Sequence, residues 1–315
     1  MDATAIVEAI TAGDRRIASR LISRAEAGDA GIVPALAALY KAGGRARTIG
    51  VTGPPGAGKS TLVDRLVDAY RKRGSTVAVI AVDPSSPFSG GAVLGDRVRM
   101  SRHSDDPGVF IRSMATRGAL GGLTRAVGDA VTILDALGFD LLIIETVGVG
   151  QSEIDIVSHA AVVLLLQTPM GGDDVQAVKA GIVEIADIMV VNKKSAPGAD
   201  RTLNLLKETL HERSPRADGW LPLVVATEAS TGEGVDALVA KIDAFVRHGE
   251  QPDNREARLR RQLGARVFAL CEARLRRATL GKGAEDALGG AWSDVIARRS
   301  DPYALADWLV SEMTA

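Results

Sequence analysis

Apolar positions change their spacing twice along this chain, and each change marks a boundary. Through residues 1–45 they recur at helical intervals, at Ile6, Val7, Ile10, Ile17, Leu21 and Ile22 and again at Leu36, Leu39 and Tyr40, which predicts an N-terminal helical region. Gly43-Gly44-Arg45 closes it. From residue 48 short continuous apolar runs take over, at 48–52, 77–82, 141–144, 162–166, 188–191 and 223–226, separated by stretches of helical period. Runs that are apolar on both faces belong to parallel strands covered by helices on either side. The pattern therefore predicts an α/β domain over 46–250 with a mostly parallel central sheet. Beyond His248 the strand pattern stops. Gln251-Pro252-Asp253-Asn254 reads as a linker, and 251–315 as a helical extension. Its first helix sets an apolar stripe of Leu259, Leu263, Val267, Leu270 and Leu275 against a face rich in arginine. The basic face reads as solvated, and the stripe as a candidate dimer surface.

The ends of the apolar runs carry the chemistry. They finish in Asp83, Glu145, Gln167, Asn192 and Thr227, and an open α/β sheet binds its ligands at the carboxyl ends of its strands. Directly after the first run stands Gly53-Pro54-Pro55-Gly56-Ala57-Gly58-Lys59-Ser60, followed by the amphipathic helical stretch that begins at Thr61. A G-x-x-x-x-G-K-[ST] string between a strand and a helix is a phosphate-binding loop. Its glycines let successive N–H groups turn inward, and the helix N-terminus adds partial positive charge. Lys59 is then placed for the β- and γ-phosphates, and the Ser60 hydroxyl for Mg²⁺. This chain is expected to be a P-loop nucleoside triphosphatase.

A P-loop does not choose the base or the reaction. Asp83 emerges beside the loop as a candidate metal ligand, directly or through water. The glycine-rich stretch 90–97 carries Asp96, available to Mg²⁺ or to the attacking water, and Arg97. Glu145-Thr146-Val147-Gly148 fits a [DE]-x-x-G pattern, with Glu145 orienting metal-bound water and the Gly148 N–H meeting the γ-phosphate. Such a loop can reorder when that phosphate leaves. Asn192-Lys193 opens an Asn-Lys-x-Asp guanine-recognition motif, but the fourth position is Ser195 rather than aspartate. A carboxylate there ordinarily accepts the two N–H groups on guanine's edge, so the choice between GTP and ATP stays open on these residues. Thr227-Glu228-Ala229 resembles the Ser/Thr-x-Ala loop whose backbone contacts guanine O6, which favours GTP. An ATP-dependent kinase on the same fold is the alternative.

Bulk properties narrow the partners. The formal net charge is −1 and aromatic residues make up 3 % of the 315, so neither charge nor stacking platforms point to nucleic acid. The lone Cys271 and four scattered histidines give no disulfide framework and no metal-storing segment, which weighs against a nickel-insertion GTPase. Neither a signal-length leader nor a membrane-length apolar run follows Met1, so a cytoplasmic protein without membrane attachment is expected.

Four strings together resemble the MeaB/ArgK family of G proteins, of the dimerising SIMIBI class of P-loop NTPases. They are GPPGAGKST at 53–61, VDPSSPFSGGAVLGDR at 82–97, ETVGVGQSE at 145–153 and PMGGDDVQAVKAGIVEIAD at 169–187. The likeness runs the whole length of the chain, the Lys194-Ser195 pair being the departure. The resemblance implies a homodimeric GTPase, binding GTP, GDP and Mg²⁺, that serves as chaperone to adenosylcobalamin-dependent methylmalonyl-CoA mutase by gating cofactor loading and protection. An adenosyltransferase is a further partner it implies. By the same resemblance Lys59 and Ser60 bind phosphate and Mg²⁺, and Asp83, Asp96 and Glu145 surround metal and water. Gly171 to Lys179 would form an added switch, with Asp173, Asp174 and Lys179 as its polar contacts to the mutase. Slow intrinsic hydrolysis is expected, because no obvious arginine finger or catalytic glutamine is identifiable in the chain, Gln151 and Arg97 being only weak candidates.

Overall fold

A computed structural model describes residues 2–83, 101–103, 105–115, 120–146, 159–169, 186–211, 215–216 and 218–251, with scattered positions between 254 and 304. Two compact units divide the chain, Met1–Leu263 and Gly264–Ala315. Asp96, Arg97, Gly148, Gln151, Asp173, Asp174 and Lys179 lie outside the described residues.

The first unit is built on one seven-stranded sheet in the order β3-β2-β4-β1-β5-β6-β7. Its strands are β1 (Arg47–Thr52), β2 (Val77–Asp83), β3 (Val109–Ala115), β4 (Leu141–Thr146), β5 (Val162–Gln167), β6 (Ile188–Val191) and β7 (Leu223–Ala226). All the pairings are parallel, as expected of an α/β P-loop NTPase fold. The strand missing from the hydrophobic pattern is β3. It pairs only with β2, at the sheet edge. Half-buried Phe110, Ile111, Arg112 and Ser113 interrupt the burial of Val109 and Met114. An edge strand needs no continuous apolar run, so its sequence lacks one.

Alternation along the strands sends side chains to the two faces of the sheet. On one face Val77, Val79, Ile143, Leu164 and Val190 pack with Leu62, Leu66 and Tyr70 of α4 (Lys59–Lys72) and with Leu238, Ile242 and Phe245 of α7 (Val235–Gly249). On the other, Ala78, Ile80, Leu142 and Ile144 meet Val127, Ile133 and Leu134 of α5 (Leu120–Ala136). Leu165, Met189 and Val191 meet Leu206 and Leu210 of α6 (Ala199–His211).

The N-terminal region folds as α1 (Ala3–Thr11), α2 (Arg15–Glu26) and α3 (Val33–Ala42). Asp2 and Asp14 accept backbone N–H groups as the caps of α1 and α2, the role for which short acidic side chains are favoured. Ile10, Leu21, Ile22 and Leu39 join the same core as α5 and β2. Polar contacts fix this packing. The Arg112 guanidinium on β3 pairs with Glu26 at 2.5 Å, Arg15 donates to the Val109 carbonyl at 3.0 Å, and the Asp135 carboxylate accepts the N–H groups of Arg45 and Ala46. In the second unit the described residues Arg266–Phe268 and Leu270–Glu272 are helical, with Val267 and Phe268 exposed.

Because Ile22 is fully buried, Ile22→Ala is expected to lower unfolding free energy by about 3 kcal/mol in urea titrations. A loss under about 1 kcal/mol would mean the N-terminal helices contribute little to this core.

Candidate nucleotide site

Sheet order sets the place of the site. β1 lies between β4 and β5, where the chain, having laid down strands on one side of β1, passes to the other. Such reversals open a crevice at the strand ends, and Gly53–Ser60 leaves β1 directly into it. Two glycines in the loop are obligatory. Gly53 has φ +142, and a Cβ there would stand 2.3 Å from the Leu166 carbonyl oxygen at the end of β5. Gly58, with φ +89, would put a Cβ 2.4 Å from the Asn192 amide nitrogen. Both combine a left-handed backbone with a neighbour that leaves no room for a side chain.

Lys59 begins α4 and is 7 % exposed. Its ammonium donates to the carbonyls of Gly53 at 2.6 Å and Pro54 at 3.0 Å, which offsets the cost of burying the charge. The cation is thereby held against the loop that would wrap a phosphate chain. Pro54, Pro55 and Gly56 are exposed, Ala57 is buried, and Thr61 is exposed in the first turn of α4. Next to Lys59, the Ser60 hydroxyl donates to Glu145 Oε1 at 2.6 Å. Glu145 is 4 % exposed near the end of β4, opposite Val51 of β1. A hydroxyl and a carboxylate meeting beside a phosphate loop form a hard-oxygen donor set. That chemistry suits Mg²⁺, which takes one or two protein oxygens and completes its shell from phosphates and water.

A buried amide ties the other half of the site to this one. Asn192, 2 % exposed, follows β6. Its Nδ2 donates to the Ala57 carbonyl at 2.8 Å, and its Oδ1 accepts from Thr227 Oγ1 at 3.1 Å and from the Ala229 N–H at 3.0 Å. The orientation of the amide is settled by these partners, since a flip would oppose like groups. After it, Lys193 adopts φ 59, an uncommon left-handed conformation for a long side chain. That turn lets the Lys194 N–H reach the Thr227 carbonyl at 3.0 Å.

Beyond Thr227, Glu228 accepts the Ser195 N–H at 3.2 Å and the Ser195 hydroxyl at 2.6 Å on Oε2, and the Ser230 hydroxyl at 2.7 Å on Oε1. The hydroxyls of Ser195 and then Ser230, helped by the Ser195 N–H and the nearby Lys193 charge, hold its carboxyl below the usual range. It is therefore an anion at neutral pH.

A family model described as Methylmalonyl Co-A mutase-associated GTPase MeaB matches residues 19–284. The chain belongs to the MeaB/ArgK family of GTPases. A Pyrococcus abyssi protein carrying a provisional GTPase name is 45 % identical over 319 residues, spanning 98 % of this chain and 96 % of that one. The GTPase ArgK of Escherichia coli is 38 % identical over 198 residues, 62 % of this chain and 60 % of its own. A crystal structure titled LAO/AO transport system kinase aligns with a TM-score of 0.73 over 99 % of this chain and 98 % of that one, at 22 % identity, a likeness of fold.

As a MeaB/ArgK GTPase, the chain gathers Gly53–Thr61, Lys59, Ser60, Glu145, Asn192, Lys193 and Thr227–Ala229 at the carboxyl ends of its strands. Asp83 ends β2, which is separated from β1 by β4. Two participants are invisible in the motifs. Arg65, two turns into α4, donates to the carbonyls of Ala229 at 3.0 Å and Ser230 at 2.6 Å. His103, 7 % exposed, bonds Asp64 of α4 at 2.8 Å, with Arg102 on the same carboxylate at 3.0 Å, so the segment after residue 100 is pinned to the P-loop helix. Neither sits in a recurring string, and both depend on where α4 packs.

Replacing Asn192 with alanine strips partners from the Ala57 carbonyl, the Thr227 hydroxyl and the Ala229 N–H at once. Chemical denaturation is expected to show a loss of about 2–4 kcal/mol, beyond that of a surface substitution.

Proposed function

We propose that this chain is a Mg²⁺-dependent GTPase whose nucleotide state is read by adenosylcobalamin-dependent methylmalonyl-CoA mutase. The observation that carries the hydrolytic half is the 2.6 Å contact of Ser60 Oγ with Glu145 Oε1 beside a buried Lys59. In this reading the N–H groups of Gly53–Thr61 surround the phosphates, and Lys59 turns from the Gly53 and Pro54 carbonyls to the β- and γ-phosphates. Ser60 and Glu145 hold Mg²⁺, with Asp83 and Asp96 as further acidic groups toward metal or water. When bound, the ion supplies charge neutralisation to the phosphates and a fixed position for water.

The chain's own groups do the rest. Glu145, deeply buried at the end of β4, orients the attacking water. The Gly148 N–H meets the γ-phosphate and is released when that phosphate departs. Asn192, Lys193 and the Thr227–Ala229 turn hold the base, the Lys193 stem lying over its plane and the backbone of the turn facing guanine O6. Buried donors that already have fixed positions need little reorganisation as charge shifts on the phosphates. Intrinsic turnover is slow in this account, the accelerating group coming from a partner.

The partner assignment is supported by the description of the matching family model, which names association with methylmalonyl-CoA mutase. Asp173, Asp174 and Lys179 would present the nucleotide state to that enzyme, and 251–315 would join two copies. The nucleotide state would gate cofactor loading, with an adenosyltransferase as a further partner.

Two measurements test these halves separately. Ser60→Ala should reduce single-turnover GTP hydrolysis by about 100-fold or more and weaken its dependence on Mg²⁺. Unchanged hydrolysis would remove Ser60 from the metal site. Capture of purified mutase by the full chain should differ between GDP and a non-hydrolysable GTP analogue. Equal capture, with no change in mutase reactivation, would contradict the chaperone role while leaving the GTPase intact.

A further inference from the structure

The guanine motif of this chain is incomplete where it matters most for choosing a base. Ser195 stands at the fourth position of Asn192-Lys193-Lys194-Ser195, and a hydroxyl carries no charge and has one hydrogen to give. Guanine offers N1–H and a 2-amino group on one edge, a pair of donors that a carboxylate accepts together. Adenine has an acceptor at N1, and it repels the same anion. An anion at this place therefore favours GTP over ATP.

We propose that the Glu228 carboxylate, delivered from the neighbouring loop after β7, is that guanine-selecting acceptor. The inference rests on the GTPase reading above and names the group that chooses its base. Glu228 Oε2 lies 2.6 Å from Ser195 Oγ, so the anion is one hydrogen bond from the position the motif leaves neutral. Its loop is held in place on several sides. The Asn192 amide binds Thr227 and Ala229 on either side of Glu228, the Lys194 N–H bonds the Thr227 carbonyl, and Arg65 clamps the carbonyls of Ala229 and Ser230. The Glu228 N–H donates to the Glu233 carbonyl at 2.9 Å.

Neighbouring acids are differently placed. Glu233 is ion-paired with Lys194, and Asp200 lies in the first turn of α6. Glu228 remains ionised, as its hydroxyl partners dictate. Its oxygens keep acceptor capacity, since Oε1 takes the Ser230 hydroxyl and Oε2 the two Ser195 donors, against about four lone-pair directions on a carboxylate. Serine hydroxyls also rotate aside at little cost when a base edge arrives. The hydroxyl at 195 thus aims the acid at 228.

The test is calorimetric titration of the full chain with GDP, xanthosine diphosphate and ADP. Xanthosine diphosphate keeps N1–H but carries a carbonyl in place of the 2-amino group. The wild-type chain should prefer GDP to both others. In Glu228→Gln the new amide NH₂ matches the xanthine carbonyl, so GDP binding should weaken roughly 100-fold and xanthosine diphosphate should become the tighter ligand. Adding Ser195→Asp to that variant should return the preference to GDP. Glu228→Gln with the wild-type ratio of GDP to xanthosine diphosphate, or with both weakened equally, would overturn the proposal and leave Glu228 a brace of its loop. Wild-type chain that binds ADP as tightly as GDP would instead sink the guanine specificity of the GTPase reading, whatever Glu228 does.

Discussion

The Asn192 side-chain amide joins the P-loop to the loop after β7. Asn192 faces the P-loop through Ala57 and the base loop through Thr227 and Ala229, and it does so from a position sealed from water. A buried amide with its donor and acceptor both matched is stable. The same amide with one partner displaced would leave a polar group stranded, at a cost of about 1–3 kcal/mol. That penalty opposes separate displacement of the three loops. It also explains why Gly58 has to be glycine, since the space a Cβ would take is filled by the Asn192 nitrogen.

This arrangement is possible because of strand order. β5 separates β1 from β6, and β7 follows β6 at the edge, so the P-loop and the loops after β6 and β7 leave the sheet side by side. On the opposite side of β1, β4 delivers Glu145 to Ser60. The helices serve this edge as well as the core. α4 starts at the P-loop, buries Leu62 and Leu66 beneath the sheet, and reaches the base loop with Arg65. One helix thus carries Lys59 and Ser60 at its start and Arg65 against the loop after β7.

Much of this was legible in the chain itself, for identifiable reasons. The P-loop and the polar residues at the ends of β2, β4 and β6 are local features: a string, a spacing and a change of character at the end of an apolar run. The strand β3 was not, because at an edge Arg112 and Ser113 are as acceptable as valine. The Thr227-Glu228-Ala229 turn was legible as a local string, whereas the bond from Ser195 to the Glu228 side chain spans 33 positions and leaves no local trace. Arg65 and His103 are hidden for the same reason. The two carboxylates at β2 and β4 also differ. Glu145 is fixed by its bond to Ser60, while Asp83 is known by its place at the end of β2. As a member of the MeaB/ArgK GTPases, the chain keeps the phosphate half of the motif set intact and departs from it at Ser195 in the base half.

If the Asn192 amide couples phosphate and base binding, occupancy of one half should be felt in the other. Hydrogen–deuterium exchange of the full chain with and without GDP and Mg²⁺ reads this directly, since amide protection reports local opening. The account predicts that GDP protects peptides covering 53–61, 192–195 and 227–230 together, and that inorganic pyrophosphate extends part of that protection to the two base loops. Protection by pyrophosphate confined to 53–61 would contradict it.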